Sequence, residues 1–392
     1  MFAKLKNLVA PERKASRTAR VIAFEAGGRA RWTPRDYAAL AREGYAKNAI
    51  VYRAVRLIAE SVGSLRFVLY EGEAERDAHP LLELVRRPNP RQDGAAFLDA
   101  LASHLLLSGN AYVEAVSLPG DATQVRELYA LRPDRMKVVP GPDGWPQGFD
   151  YTVAGRTVRF AQDAAQPPIL HLSAFNPLDD HYGLSALEAA ATAVDTHNAA
   201  ARWNKALLDN AARPSGALVY AHPQDNMLTA AQFERLKKEL SDQYQGTANA
   251  GRPMVLEGGL DWKPMALTPK DMDFMQAKHA AAREIALAFG VPPMLLAIPG
   301  DNTYSNYQEA NRVFWRQTVL PLAARIGDAL TQWLSPSFGA GLSLAADTDR
   351  IEALAPDRAA LWERVTRAPF LSVNEKRAAT GYGRVQGGDA LT

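Results

Sequence analysis

Residues 268–336 read TPKDMDFMQAKHAAAREIALAFGVPPMLLAIPGDNTYSNYQEANRVFWRQTVLPLAARIGDALTQWLSP, and they parse as helix, loop, helix. Thr268-Pro269-Lys270-Asp271 opens the first helix, with Thr at the N-cap, Pro at the first helical position and Asp at the third. AREIALAF carries it forward until Gly290 stops it, with Pro292 and Pro293 behind. The loop that follows has an apolar first half and a neutral polar tip. The second helix, QEANRVFWRQTVLPLAARIGDALTQWL, holds Pro321 in its middle, where a missing N–H and a steric clash predict a kink. A loop this long inside a folded chain is usually functional or disordered. This one is too apolar at its root for plain disorder, so it reads as a rigid lever presenting a tip.

The chain has 392 residues, enough for two or three domains' worth of core. It is 47% apolar and 22% charged, an ordinary globular balance. The absence of cysteine excludes disulfides, thiolate zinc sites and cysteine nucleophiles, and it suits a reducing compartment. A formal net charge of +2 argues against a tight nucleic-acid binder, which needs a strongly basic domain. The basic excess is local: Lys4, Lys6, Arg13, Lys14, Arg17 and Arg20 stand against Glu12 within residues 1–20. That run, in residues 1–32, reads as a solvated, mobile basic arm, or as a weak contact for an acidic partner. No apolar block follows the first lysines, so no secretory leader is expected. The longest charge-free apolar stretch, Ile285 to Pro299, is 15 residues, short of the roughly 20 a spanning helix needs.

Along the chain, Thr33-Pro34-Arg35-Asp36 reads as a capping box opening a short helix. Ile50, Ala54, Leu57, Ile58 and Val62 recur at helical spacing, Gly63 ends that helix, and LRFVLY reads as a strand. His79-Pro80 begins a short helix. Phe97, Leu101, Leu105 and Leu106 mark the next, and Ser108-Gly109-Asn110 turns it into the strand AYVEAV. From Leu128 to Phe175 the pattern is β-like, with turns at GPDGWPQG and AGRT. Ser185-x-x-Glu188 caps an Ala-rich helix running to about Asn210, and GALVYA follows as a strand. Thr229-x-x-Gln232 caps a helix whose apolar stripe is Phe233, Leu236, Leu240 and Tyr244. GTANAGRPMVLEGGLDWKPM is a small β-excursion, too short for a core of its own, which must pack on neighbours or on copies of itself. GLSLAA reads as a strand, followed by a helix from Pro356 and a last one announced by Ser372-x-x-Glu375. The class is α+β and helix-rich, with mixed or antiparallel sheets and no βαβ regularity.

Chemistry is sparse. The seven histidines contain no pair at helical metal spacing. Asp179-Asp180-His181 is the one cluster of hard ligands, and a polar turn is the favoured reading. There is no P-loop, no G-x-S-x-G and no G-x-G-x-x-G. His279 and Glu284, five residues apart, fall on different helical faces. No catalytic residue, metal or cofactor is therefore expected.

Read in order, NAIVYRAVRLIAESVGSLRFVLY, HPLLELVRRPNP, LLLSGNAYVE, LYALRPDRMKV, GLSALEAA, NAGRPMVLEGGL, FGVPPMLL and FLSVNEKRAATGYGRVQGGD resemble the portal proteins of long-tailed bacteriophages. The likeness spans about residues 45 to 388. It implies a ring, usually of twelve copies, at one capsid vertex of a virion assembled in the bacterial cytoplasm. Double-stranded DNA would pass through the ring without sequence reading. The partners would be the major capsid protein, the large terminase and a head-tail adaptor. Carried over, the parts are a wing at 33–227, a stem helix at 229–246, a clip at 247–268, a second stem helix at 269–290 and a tunnel loop at 291–306. A long kinked wing helix would follow at 307–334, a wing strand and linker at 335–351, and a short helical crown at 352–392. The Ala-rich, cysteine-free composition also suits a prophage or a gene transfer agent.

On that reading Ala277, Ala281, Ile285 and Ala288 pack the stem together with Phe233, Leu236 and Leu240. Arg252, Met254, Leu256 and Trp262 belong to the clip. Leu296, Ile298, Asp301, Asn302, Thr303, Tyr304, Ser305 and Asn306 face DNA. The tip Gly300–Asn306 has no Lys or Arg. Each such residue on phosphate adds affinity, and a passage that gripped DNA would have to release it at every step. Two other readings stay open on the residues alone: a DNA-processing enzyme using Asp179, Asp180 and Glu188, and a monomeric scaffold or adaptor acting through its basic arm.

Overall fold

Asn48 caps the helix Ala49–Ser64 by accepting the N–H groups of Ile50 and Val51, and the stripe Val51, Ala54, Val55, Ile58 and Val62 is wholly buried. Its partner is the helix Gly94–Ser108, capped by Asp93. Gly63 does not end the first helix but lies inside it. A Cβ there would stand 2.8 Å from the Ala95 carbonyl, so the two helices approach as backbone on backbone.

The computed structural model describes residues 32–34, 36–118, 120–209, 216–220, 260–264, 274–300 and 304–390, with a few single positions between 229 and 238. The chain divides into two units, Met1–Trp32 and Thr33–Thr392, and the described helices and strands belong to the second. The basic arm, Thr268 to Asp271, and Phe233, Leu236 and Leu240 lie outside the described residues.

Helices and antiparallel sheets mix, as the sequence implies. Strands Leu342–Ala346, Phe67–Glu71 and Ala74–Arg76 form one sheet, and Phe67, Leu69 and Leu344 turn into the core. Strands Asp121–Leu131, Asn110–Leu118 and Ile169–Ser173 form a second, with Tyr112 opposite His171. Met136–Pro140, Pro146–Val153 and Arg156–Ala161 make a meander whose turns are the two read from sequence. Gly216–Tyr220 pairs with Leu260–Pro264, placing Trp262 opposite Leu218. The sequence-based boundary at 227 thus separates two strands that pair with each other. Pairing across forty residues leaves no local signature.

Caps were mostly readable. Ser372 accepts from the Glu375 N–H while Glu375 accepts from the Ser372 N–H, a complete capping box. Ser185 accepts from the Glu188 N–H. Thr33 is a correction: Asp36 is the cap of the helix Tyr37–Leu40, accepting from the Ala39 N–H. Thr33 instead donates through its N–H and its hydroxyl to the Asp195 carboxylate, 162 residues away.

Candidate functional site: the loop between two helices

The helix Phe274–Ala288 turns Ala281, Ala282, Ile285 and Ala286 inward, all buried, and packs on the helix Ala191–Asp209. Alanine's small side chain lets those two helices meet closely within one subunit. Ala277 is exposed and Ala288 partly buried. The turn beyond is built as read: Gly290 takes φ +66°, and the Val291 N–H closes back on the Ala286 carbonyl at 2.9 Å. The Thr318 hydroxyl donates to the Gly290 carbonyl at 2.5 Å.

The first half of the loop is a tight structure. Pro293–Leu296 makes one 3₁₀ turn, and Ala297 ends it at φ 55°, a left-handed conformation that alanine seldom takes. The Ala297 and Ile298 N–H groups donate to the Met294 and Pro293 carbonyls at 3.2 and 3.1 Å. Leu296 is 7% and Ile298 3% exposed. Both belong to the main hydrophobic core. The expectation that these two side chains face DNA is therefore corrected. Their apolar surface is worth more buried in the core than lining a wet passage.

At the end of this root the Arg283 guanidinium donates to the Pro299 carbonyl. Asp301, Asn302 and Thr303 lie outside the described residues, as do Arg252, Met254 and Leu256 of the β-excursion. Tyr304, Ser305 and Asn306 are not loop residues. They open the helix Tyr304–Phe314, with Asn306 and Tyr307 exposed.

Pro321 sits in a second unforeseen feature. Between Tyr304–Phe314 and the helix Leu320–Phe338 runs a π turn, Trp315–Val319, in which the Leu320 N–H reaches the Trp315 carbonyl. The wider turn places Pro321 in the first turn of the next helix, where a missing N–H matters least. The helix also continues past Leu334 to Phe338, through Pro336.

A polar knot joins the strand Asn110–Leu118 to the strand Ile169–Ser173 and to the turn at Gly183. Asn110 Oδ1 accepts from His171 Nε2 at 2.9 Å and from the Gly183 N–H at 2.8 Å, and Asn110 Nδ2 donates to the Ser108 carbonyl at 2.8 Å. His171 stacks on Tyr112 with ring centroids 4.3 Å apart. Burial, and next the charge of His181, push the His171 imidazole down to about 4. Burial likewise pushes His104 down to about 4. Asp179, the candidate metal ligand, spends its Oδ1 on the N–H groups of His181 and Tyr182 at 2.8 and 2.9 Å, the polar turn the sequence favours. Among the described residues no group of three or more His, Asp or Glu side chains stands where it could hold a metal ion. No described helix is long and apolar enough to cross a membrane.

Neither the Arg283–Pro299 contact nor the Thr318–Gly290 contact was readable in advance. Only the glycines beside the two carbonyls hinted that something approaches the backbone there.

The sequence profile of the phage portal protein family matches residues 49–381. The chain belongs to that family. It is 43% identical over 353 residues to an uncharacterised protein of Rickettsia bellii, covering 89% of this chain and 90% of that one. It is 25% identical over 358 residues to the portal protein of Enterobacteria phage HK97, covering 86% and 80%. Among solved structures it is similar to a chain in the neck of a native gene transfer agent particle computed with C12 symmetry. That similarity has 52% identity and a TM-score of 0.68, and it covers 92% of this chain and 98% of that one. The fold is also that of an HK97 family phage portal protein from Corynebacterium diphtheriae, at 16% identity and a TM-score of 0.58 over 80% of this chain and 95% of that one. Its mixed helix and sheet fold agrees with that membership.

Proposed function

We propose that twelve copies of this chain close into a ring at one vertex of a phage-like capsid, and that double-stranded DNA enters and leaves through it. The observation that carries this reading is the 52% identity, over nearly the whole of both chains, with a protein in a twelvefold-symmetric particle neck. Head-to-tail contacts between copies close a ring when the rotation between them divides a full turn. The particle would be a gene transfer agent or a prophage-derived head, assembled in the bacterial cytoplasm. The major capsid protein, a large terminase and a head-tail adaptor would dock on the ring.

In this reading residues 33–227 form the wing, 229–246 and 269–290 the stem, and 352–392 the crown. The clip spans 247–268, and its strand Leu260–Pro264 pairs with Gly216–Tyr220 of the wing. The loop 291–303, shortened by the helix that opens at Tyr304, fringes the passage, and its contact with DNA falls to Asp301, Asn302 and Thr303, because Leu296 and Ile298 are core. A tip without Lys or Arg suits a surface along which phosphates slide without being held. Size-exclusion chromatography and negative-stain imaging of the purified chain test the proposal. Annular particles about an order of magnitude heavier than one subunit are expected, and a species that stays monomeric both alone and in the particle would overturn it.

A further inference from the structure

Arg283 lies on the helix Phe274–Ala288, and its guanidinium reaches the Pro299 carbonyl sixteen residues on. Gly300 follows immediately. It is not among the glycines with positive φ, so its backbone does not itself require glycine. Space does: a Cβ at Gly300 would stand 2.4 Å from Arg283 Nη2. The obstructing atom is the far end of a flexible side chain. A larger residue at 300 would evict the guanidinium and leave the backbone where it is.

The opposite end of the same segment is tied in a parallel way. Thr318 donates to the Gly290 carbonyl, and a Cβ at Gly290 would stand 2.9 Å from the Thr318 hydroxyl oxygen. Between the two ties, Leu296 and Ile298 are sunk in the core. The root from Gly290 to Pro299 is therefore held at both ends and anchored in the middle, and the Arg283 contact sits at its far end, beside the tip.

We infer that Arg283 is a positioning residue: its guanidinium, admitted by the bare Cα of Gly300, latches the end of the loop root and sets where the tip stands against DNA. The inference rests on reading that tip as the fringe of a DNA passage. A charged donor on a carbonyl is among the stronger hydrogen bonds, and this one spans the point where the buried root gives way to the tip.

The test uses full-length chain in assembled particles, with Arg283→Gln, Gly300→Ala, the double variant, and a deletion of 301–303. Each single variant is expected to speed hydrogen exchange at the Ala297 and Ile298 amides about tenfold and to lower the DNA retained per particle, with particle yield unchanged. The double variant should be no worse than either single, because both changes remove the same contact. Unchanged exchange in Arg283→Gln, or effects that multiply in the double variant, would overturn the latch. Faster exchange with normal DNA retention in the single variants, while the deletion loses DNA, would overturn the positioning role and leave the tip's role standing. Normal retention in the deletion as well would sink both.

Discussion

Gly109 and Gly183 touch backbone to backbone. A Cβ on Gly183 would stand 2.1 Å from the Gly109 carbonyl oxygen, and one on Gly109 would stand 2.4 Å from the Gly183 carbonyl oxygen. The Gly109 carbonyl is also the acceptor for the Ala174 N–H at 2.7 Å. Here the end of the helix Gly94–Ser108, the strand Ile169–Ser173 and the turn before Ala186 are joined, with Asn110 bonding to all three neighbourhoods.

Gly183→Ala is therefore expected to destabilise the chain by about 3 kcal/mol or more, since backbone on both sides must move. Gly72→Ala is the control. Its φ is +61° but nothing lies within 4 Å, so only the left-handed penalty of about 1 kcal/mol applies. Urea denaturation of the two variants checks the ranking, and equal losses would contradict it.

Ala154 and Gly155 make the two-residue turn between Pro146–Val153 and Arg156–Ala161, both at positive φ. Such turns favour Asn-Gly. Ala154→Asn is expected to raise stability by about 0.5–1 kcal/mol. A thermal midpoint at or below that of the wild type would contradict this.

The imidazoles of His104 and His171, both partly buried, make stability depend on acidity. Their folded values, about 4, lie below the ordinary 6.5. Between those limits the unfolded chain binds more protons, so stability is full above about pH 6.5 and falls as pH drops toward about 4. Each contributes at most about 3 kcal/mol. His171→Gln, able to keep the donation to Asn110, is expected to reduce the loss of stability between about pH 7 and about pH 5. An unchanged pH profile would show that His171 is not one of the groups responsible.

Pro321→Ala is expected to change stability by less than about 1 kcal/mol. The helix has already widened at Trp315–Val319, and Pro321 lies in a first turn, whereas a helix-interior proline costs about 3 kcal/mol. A gain near that larger figure in calorimetry would mean the proline strains the helix.

Local signals carried most of the fold. Ser185, Ser372, His79 and Gly290 announce helix ends because cap chemistry is decided within four residues. Thr33 misled because its acceptor, Asp195, is remote in sequence. The strand partner of Leu260–Pro264 was hidden for the same reason. At the loop, the boundary between apolar root and polar tip was legible, but its meaning was not. Leu296 and Ile298 are apolar whether they face a channel or a core, and only tertiary packing distinguishes the two. The π turn before Pro321 and the reach of Arg283 to Pro299 have no sequence pattern of their own.

Imaging the neck of the particle that contains this chain, at a resolution that traces individual loops, tests the whole account most directly. A closed ring of subunits is expected, with duplex density on its axis and the loop 291–303 of every copy turned toward that density. Single copies away from the point where the genome enters, or a ring whose axis is lined by some other part of the chain, would contradict it.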